Sequence, residues 1–219
     1  MRAAALCLLL SGGLLPWQAP SDLSGSTHSD SPSPELAASV SALLPPAGVR
    51  ATVGATTLTF WWVKQLPLKP ATDGSAAASS PAWSSVQEGT LVGAVKVDKN
   101  FRDVRGRVIK AGTYTLRYGL QPTNGDHLGV SPYREFLLLS PAAADTDPAP
   151  KGHDESVDLS KQTIGGSHPA VWSIDPPVAA EGALSIHTTD LGHKALVMEV
   201  PVAGGVLRFG VVLVGKIEA

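Results

Sequence analysis

Residues 110–139 constrain the fold more than any other part of the chain. Large apolar residues occupy every second position from 114 to 120, which is typical of a half-buried strand, and the Ala111-Gly112 turn leads into it. Residues 136–139 are apolar on both faces, which predicts a fully buried strand. Because one loop, residues 121–134, joins the two patterns, we expect these strands to be neighbours.

Short apolar or alternating runs recur along the rest of the chain and predict further strands. These runs are residues 49–53, 57–63, 90–97, 170–174, 184–187, 195–201 and 206–214. The 18 prolines and 22 glycines favour turns between short strands, and no strand-helix-strand alternation is visible. We therefore predict an all-β fold, an antiparallel β-sandwich or jelly roll of about nine short strands. The last run is apolar throughout, which predicts a central strand.

The first 21 residues predict a signal peptide. Arg2 precedes an apolar run, and Ala19 and Ser21 are small residues before an expected mature start at Asp22. The single cysteine, Cys7, lies inside this segment, so we expect a mature chain without disulfides. An anchor that stays attached is the alternative, although the apolar run is short for a bilayer span. The predicted localisation is periplasmic or secreted.

Composition divides the remainder into a tether and one domain. Residues 22–34 are rich in Ser, Asp, Pro and Gly, which predicts a flexible tether. Residues 35–44 place apolar residues at helical spacing before Pro45-Pro46, which predicts one short helix. We interpret residues 35–219 as a single β-sandwich domain with long loops near 69–85 and 141–166.

Charge and motifs exclude several function classes. The net charge is -2 and the basic residues are scattered, so no footprint for nucleic acid or for an anionic membrane surface is present. Beyond the leader no stretch approaches membrane-spanning length, so we do not expect an integral membrane protein. The chain lacks a Gly-x-Ser-x-Gly frame, a phosphate-binding loop and a dinucleotide fingerprint. These observations favour a protein that is not an enzyme.

The histidines define one candidate site. No pair has the close spacing of a local metal motif. Across a sandwich, however, Asp126-His127, His168 and either His187 or His193 could converge at one end, where imidazoles and a carboxylate would suit zinc or copper. The alternative is that they are surface or turn residues, and Asn124-Gly125-Asp126 is itself a favoured turn sequence.

Aromatic side chains define a second candidate. Trp61, Trp83, Trp172 and Tyr133 could form a platform for a sugar ring. The alternative is core packing, which we favour for Trp62 and Trp172 because large aromatics within short strands are usually buried. Trp83 lies in a polar segment and is the best candidate for an exposed ring.

Three phrases of the sequence resemble a family of uncharacterised exported bacterial β domains. They are ATTLTF at residues 55–60, AGTYTL at residues 111–116 and NGDHLGVSPYREFLLL at residues 124–139. The resemblance implies a bacterial envelope setting and an all-β fold. It implies no activity.

Two hypotheses for function follow from these observations. The first is an exported, non-enzymatic β-sandwich without a cofactor that binds a protein partner or a glycan at one loop end. Its predicted ligand-binding residues are Asp126, His127, Tyr133, Arg134 and Trp83, with the turn at 165–169 nearby. The second is a zinc- or copper-binding protein, which could include an enzyme, with His127 and His168 as ligands and His187 or His193 completing the set.

Overall fold

The structure, a computed structural model, describes residues 22–69, 83, 85–121, 133–175 and 182–215. Within these residues the chain forms two helices, α1 (Ala38–Ser41) and α2 (His153–Ile164). The strands are β1 (Leu23–His28), β2 (Gly48–Val53), β3 (Thr56–Trp62), β4 (Leu91–Val97), β5 (Phe101–Arg102), β6 (Val108–Ile109), β7 (Gly112–Leu120), β8 (Glu135–Pro141), β9 (Val171–Asp175), β10 (Ile186–Thr188), β11 (Lys194–Val202) and β12 (Gly205–Val214).

Ten of the strands form one sheet, so the all-β prediction is confirmed. Their order is β1-β2-β3-β4-β7-β8-β9-β12-β11-β10, every neighbouring pair is antiparallel, and β5 and β6 form a separate hairpin. The edge strands β1 and β10 contact each other, so the sheet is nearly closed. The last strand, β12, lies between β9 and β11, which confirms that it is central.

Strand β9 connects β8 on one side of the sheet to β12 on the other. Its first three residues pair with β8, whereas Ile174 and Asp175 pair with Val211 and Gly210 of β12. The side chains of Trp172 and Ile174 lie in the core, so Asp175 follows directly after an apolar alternation. The carboxyl end of β9 therefore lies beside the middle of β12.

The predicted pairing around residues 110–139 is confirmed, because β7 and β8 are antiparallel neighbours with Leu116 opposite Leu139. The prediction that β7 is half-buried is wrong. Thr115 and Arg117, on the face opposite to Leu116, are both fully buried. They are covered by the segment after β8, where the carboxylate of Asp145 bonds to both side chains.

Aromatic rings fill the interior of the sheet. Phe60 stacks on Trp62 with ring centres 5.3 Å apart, and Trp62 meets Phe209 edge to face at 4.9 Å. Trp172 approaches Phe60 at 5.5 Å, and all four rings are buried. The prediction of core packing for Trp62 and Trp172 is confirmed, and such pairs add to the stability gained by burying their area.

The prediction of a flexible tether over residues 22–34 is wrong for its first half. Residues 23–28 form β1, which pairs with β2 from Leu23 opposite Val53 to His28 opposite Gly48. The strand is polar, so its main-chain hydrogen bonds, and not a hydrophobic face, hold it in the sheet. Gly25 lies against Leu196, and a side chain at that position would clash with it.

The N-terminal helix exists, but α1 covers only four residues of the predicted 35–44. Leu36, Val40 and Leu44 are buried, whereas Leu43 is 42% exposed. The apolar spacing therefore identified the buried face of this segment, except for Leu43. In the described residues, no helix has the length and apolar character needed to cross a membrane.

The loop predicted at residues 141–166 contains α2, so that prediction is also wrong. The helix packs on β8, where Thr163 donates to the carbonyl of Leu139 at 2.7 Å, and Ser160 donates to the carbonyl of Ala170, just before β9, at 2.8 Å. Gly165 ends the helix in the left-handed conformation. A polar buried face has no apolar periodicity, so the sequence pattern did not indicate this helix. The other predicted loop, 69–85, lies mostly outside the described residues.

Candidate functional site

The candidate site lies at the end of the sheet where β8 begins and β9 ends. Tyr133 and Arg134 directly precede β8, and Asp175 is the last residue of β9. Because Phe136 of β8 pairs with Ser173 of β9 in antiparallel register, Asp175 lies beside the beginning of β8. Two predicted site residues are therefore brought next to a carboxylate that the sequence pattern did not single out.

Two imidazoles are buried in β10 and in the turn between β10 and β11. His187 in β10 is 6% exposed and His193, just before β11, is 5% exposed. A methyl group added to Gly210 would lie 2.8 Å from Cε1 of His187, and one added to Gly215 would lie 2.5 Å from Cδ2 of His193. Each ring therefore packs against a glycine, and a larger residue there would displace it.

Asp175 is 6% exposed, and its burial raises the pKa of its carboxyl group above the usual value. The charges of His193 and His187 oppose this shift and lower the pKa, whereas the charge of Asp190 raises it. The two imidazoles are thus close enough to Asp175 to act on its ionisation. We refer to Asp175, His187, His193 and Tyr133 as the end cluster.

Tyr133 belongs to the same electrostatic environment. Burial raises the pKa of its phenol, and the charges of Asp175, Asp190 and Glu135 raise it further. Its side chain is only partly buried. The phenol therefore stays protonated at neutral pH and can donate or accept a hydrogen bond.

Arg134 bonds to Gln121, and Asp126 and His127 lie between these two residues in the sequence. The Nε and Nη2 atoms of Arg134 donate to the carbonyl oxygen of Gln121 at 3.1 and 2.7 Å. The main-chain nitrogen of Gln121 in turn donates to the carbonyl oxygen of Arg134 at 2.8 Å. Asp126 and His127 lie outside the described residues, but both flanks of their segment are fixed beside the end cluster.

His168 is not part of the end cluster. It is exposed and precedes β9, whereas Asp175 is at the other end of that strand. Among residues 22–69, 83, 85–121, 133–175 and 182–215, no group of three or more His, Cys, Asp or Glu side chains could hold a metal ion. Because His127 lies outside these residues, the predicted metal site that includes it stays a prediction.

The prediction that Trp83 is exposed is wrong. Its ring is 2% exposed, stacks on Tyr118 with centres 5.1 Å apart and meets Phe209 edge to face at 5.2 Å. Trp61 is also buried, and its Nε1 donates to the carbonyl oxygen of Asp30 at 3.0 Å. Of the four aromatic residues predicted to form a platform, only Tyr133 is more than slightly exposed.

Asp175 is the site residue that sequence reasoning missed. It precedes Pro176-Pro177, and this context predicts only the end of a strand. The signal that could have identified it is a carboxylate directly after an apolar strand, on the face opposite to the core side chains of Trp172 and Ile174. Comparison of the chain with protein-family models, with curated proteins and with solved structures finds no match.

Proposed function

We propose that this chain is an exported, non-enzymatic binding protein that takes its ligand at the end of the sheet marked by the end cluster. The observation that carries this proposal is the convergence of polar side chains from three separate segments. Tyr133 comes from the entry to β8, Asp175 from β9 and the two histidines from the β10–β11 region. Gln121 and Arg134, on the two sides of the segment with Asp126 and His127, bond to each other at the same end of the sheet.

The energetic cost of the end cluster supports a functional role. Burial raises the pKa of Asp175, so the ionised carboxylate is less stable there than in water. A buried charge of this kind does not stabilise a fold by itself, and an apolar residue would pack at a lower cost. Groups with shifted pKa values are concentrated at functional sites.

The surrounding charges indicate the chemistry of the ligand. Three carboxylates, those of Asp175, Asp190 and Glu135, act on the phenol of Tyr133. Such a surface favours a group that donates hydrogen bonds, either an ammonium or guanidinium group of a protein partner or the hydroxyl groups of a glycan. The absence of a nucleophile or cofactor motif in the sequence favours binding over catalysis.

Binding by matched variants tests this proposal. The full chain, Asp175→Asn and the control His153→Ala would each be applied to a glycan array and to an immobilised envelope-protein extract. His153 is exposed, and its Nδ1 lies 2.8 Å from Oε1 of Glu88, so it is a titratable control outside the end cluster. We expect the wild type and His153→Ala to retain the same ligand and Asp175→Asn to lose it. No ligand above background, or equal binding by Asp175→Asn, would refute the proposal.

Metal binding is the second candidate function, and the observation that favours it is the burial of two imidazoles, those of His187 and His193. Because the described residues do not complete a metal-binding group, His127 would have to supply a further ligand. Metal analysis of the same purified chains distinguishes it from the first. One zinc or copper ion per wild-type chain that His193→Ala loses would replace the binding proposal with a metalloprotein. No stoichiometric metal in the wild type would refute this second candidate.

A further inference from the structure

An open groove with a volume of 480 Å³ lies on the outer face of β2, β3 and β4, away from the end cluster. Its floor consists of outward-facing strand residues, and one wall is the segment 29–34, which we call the strap. The lining residues are Asp30, Ser31, Ser33, Pro34, Arg50, Thr57, Thr59, Trp61, Lys96 and Asp98. Most of them carry a charge or a hydroxyl group.

On the floor of the groove, a threonine lies between two cations, one on each side. Arg50 of β2 is opposite Thr59 of β3, and Thr59 is opposite Lys96 of β4. Neighbouring strands are about 4.8 Å apart, so the main chains at Arg50 and Lys96 are separated by about 10 Å. This spacing leaves room for one small polar group above Thr59.

The strap is fixed to the sheet by hydrogen bonds. The carboxylate of Asp30 accepts from Nη2 of Arg50, and the carbonyl oxygen of Asp30 accepts from Nε1 of Trp61 at 3.0 Å. Ser33 Oγ accepts from Thr113 Oγ1 at 2.9 Å. The groove is therefore preformed, which lowers the entropic cost of binding a ligand.

His28 holds the beginning of the strap. Its Nδ1 accepts from the main-chain nitrogen of Asp30 at 3.1 Å, and its ring meets Trp61 edge to face at 5.5 Å. Burial lowers the pKa of His28, with the charge of Asp30 opposing the shift. The imidazole is therefore neutral near pH 7 and can accept this hydrogen bond.

The charged residues of the groove differ in whether they have partners. Arg50 is paired with Asp30, and Asp98 Oδ1 accepts from the main-chain nitrogen of Thr57 at 2.7 Å. Lys96 has no hydrogen bond or ion pair with any residue that the structure describes, and its side chain is exposed. A ligand can therefore supply an anionic group to Lys96 without breaking an existing contact.

We propose that the groove binds a carboxylate-bearing saccharide, a uronic acid or a short chain of them. Its carboxylate would pair with Lys96 above Thr59, and its hydroxyl groups would bond to the oxygens of Thr57, Thr59 and Asp98. The lining contains donors, acceptors and hydroxyl groups, which suits a hydroxylated ligand. An apolar molecule would leave these groups without partners.

Other ligand classes fit the groove less well. A nucleic acid needs several cations along its backbone, and among the described lining residues Lys96 is the one cation without a partner, since Arg50 is paired with Asp30. Strands β2, β3 and β4 each pair with neighbours on both sides, so their main chains offer no free edge to an extended peptide.

Titration of the full chain with trigalacturonate, followed by calorimetry or by NMR shifts, tests this inference. Maltotriose serves as the neutral control ligand and acetate as the control anion. The variants are Lys96→Gln and the matched control Lys110→Gln, which removes an exposed charge outside the groove. We expect saturable binding of trigalacturonate by the wild type and by Lys110→Gln. We expect affinity to fall by about tenfold in Lys96→Gln, because a hydrogen bond to a charged group is lost.

Each possible outcome of the titration either supports or overturns the proposed saccharide site. Absence of saturable binding, or equal affinity of Lys96→Gln and wild type, would overturn it. Equal affinity for acetate would show a simple anion site and also overturn it, as would equal affinity for maltotriose. Because Lys96 and the end cluster lie on different strands, failure here leaves the proposal for the end cluster to its own test.

Discussion

Two regions of this molecule bury charged side chains, and they do so in opposite ways. Around Arg117 and Asp145, every charged atom has a partner. Arg117 Nε and Nη2 donate to the two carboxylate oxygens of Asp145 at 2.7 and 2.8 Å, and Thr115 donates to the same carboxylate at 2.6 Å. The remaining donors of Arg117 reach main-chain carbonyls, those of Gly89, Ala149 and Asp147.

The end cluster instead buries the carboxyl group of Asp175 where burial raises its pKa, so the ionised form is disfavoured there. The comparison separates two uses of buried charge. The saturated pair of Arg117 and Asp145 fastens the segment after β8 to the sheet, so its role is structural. The end cluster costs stability and is placed where chain segments converge, which is the pattern expected of a binding site.

The largest effect is expected for Asp145→Ala. It leaves the guanidinium of Arg117, which is fully buried, without its carboxylate, so the free energy of unfolding should fall by about 3–5 kcal/mol. Urea denaturation measures the change. Asp147→Ala is the matched control, because among the described residues its carboxylate accepts only from the nearby main-chain nitrogen of Ala149. A loss of less than about 1 kcal/mol for Asp145→Ala would show that the pair is dispensable.

The sequence predicted some elements of these regions and did not predict others. The alternation in β7 and the apolar run in β8 were sufficient to identify both strands and their pairing. The partner of Arg117 could not be predicted, because Asp145 lies in an irregular segment whose position depends on tertiary contacts. Strand β1 and helix α2 were missed for the same physical reason, since both are held by polar groups and lack an apolar pattern.

Four residues from the two predicted sites, His187, His193, Tyr133 and Arg134, lie at one end of the sheet. Their role in binding stays a prediction. His168 could not be excluded by spacing, because the sequence does not show which end of β9 lies beside His187 and His193. Trp83 was misplaced because a polar neighbourhood in sequence does not show that a ring folds back into the core.

A smaller effect is expected for Gly210→Ala, which changes the packing of the end cluster without removing a charge. The new methyl group would lie 2.8 Å from Cε1 of His187 and 3.3 Å from the carbonyl oxygen of Asp175. We expect the free energy of unfolding to fall by about 1–3 kcal/mol because the ring must move. Gly166→Ala, whose new methyl group would make only an ordinary contact at 4.0 Å with the main-chain nitrogen of His168, is the control for the same substitution in urea denaturation. Equal stability of the two variants would mean that His187 has room to move.

Asp175 should also make the stability of the fold depend on pH. Because its folded-state pKa is raised above 3.8, the folded chain holds this proton where the unfolded chain has released it. Stability is therefore lost as pH rises from about 4 through the folded-state pKa, and it stays lower above that value. Asp175→Asn should remove this loss, so at pH 7 its free energy of unfolding should exceed that of the wild type by about 0.5–1.5 kcal/mol.

Thermal melts of wild type and Asp175→Asn at pH 4 and pH 7 check this prediction. The advantage of Asp175→Asn should be larger at pH 7 than at pH 4. Asp154→Asn, at an exposed position in the first turn of α2, controls for the removal of one negative charge. If Asp175→Asn were less stable than the wild type at pH 7, the carboxylate would be a stabilising group like that of Asp145, and the contrast between the two regions would be lost.

The smallest effect is expected for His168→Ala. The side chain is exposed, and among the described residues it has no hydrogen bond or ion pair, so the free energy of unfolding should change by less than about 0.5 kcal/mol. His193→Ala is the comparison, because its buried ring packs against Gly215 and its loss leaves a cavity beside Asp175. We therefore expect urea denaturation to separate the two histidines clearly, and ligand binding to be lost only in His193→Ala. If His168→Ala lost ligand binding as well, the site would extend along the whole of β9 to its opposite end, and the end cluster alone would not define it.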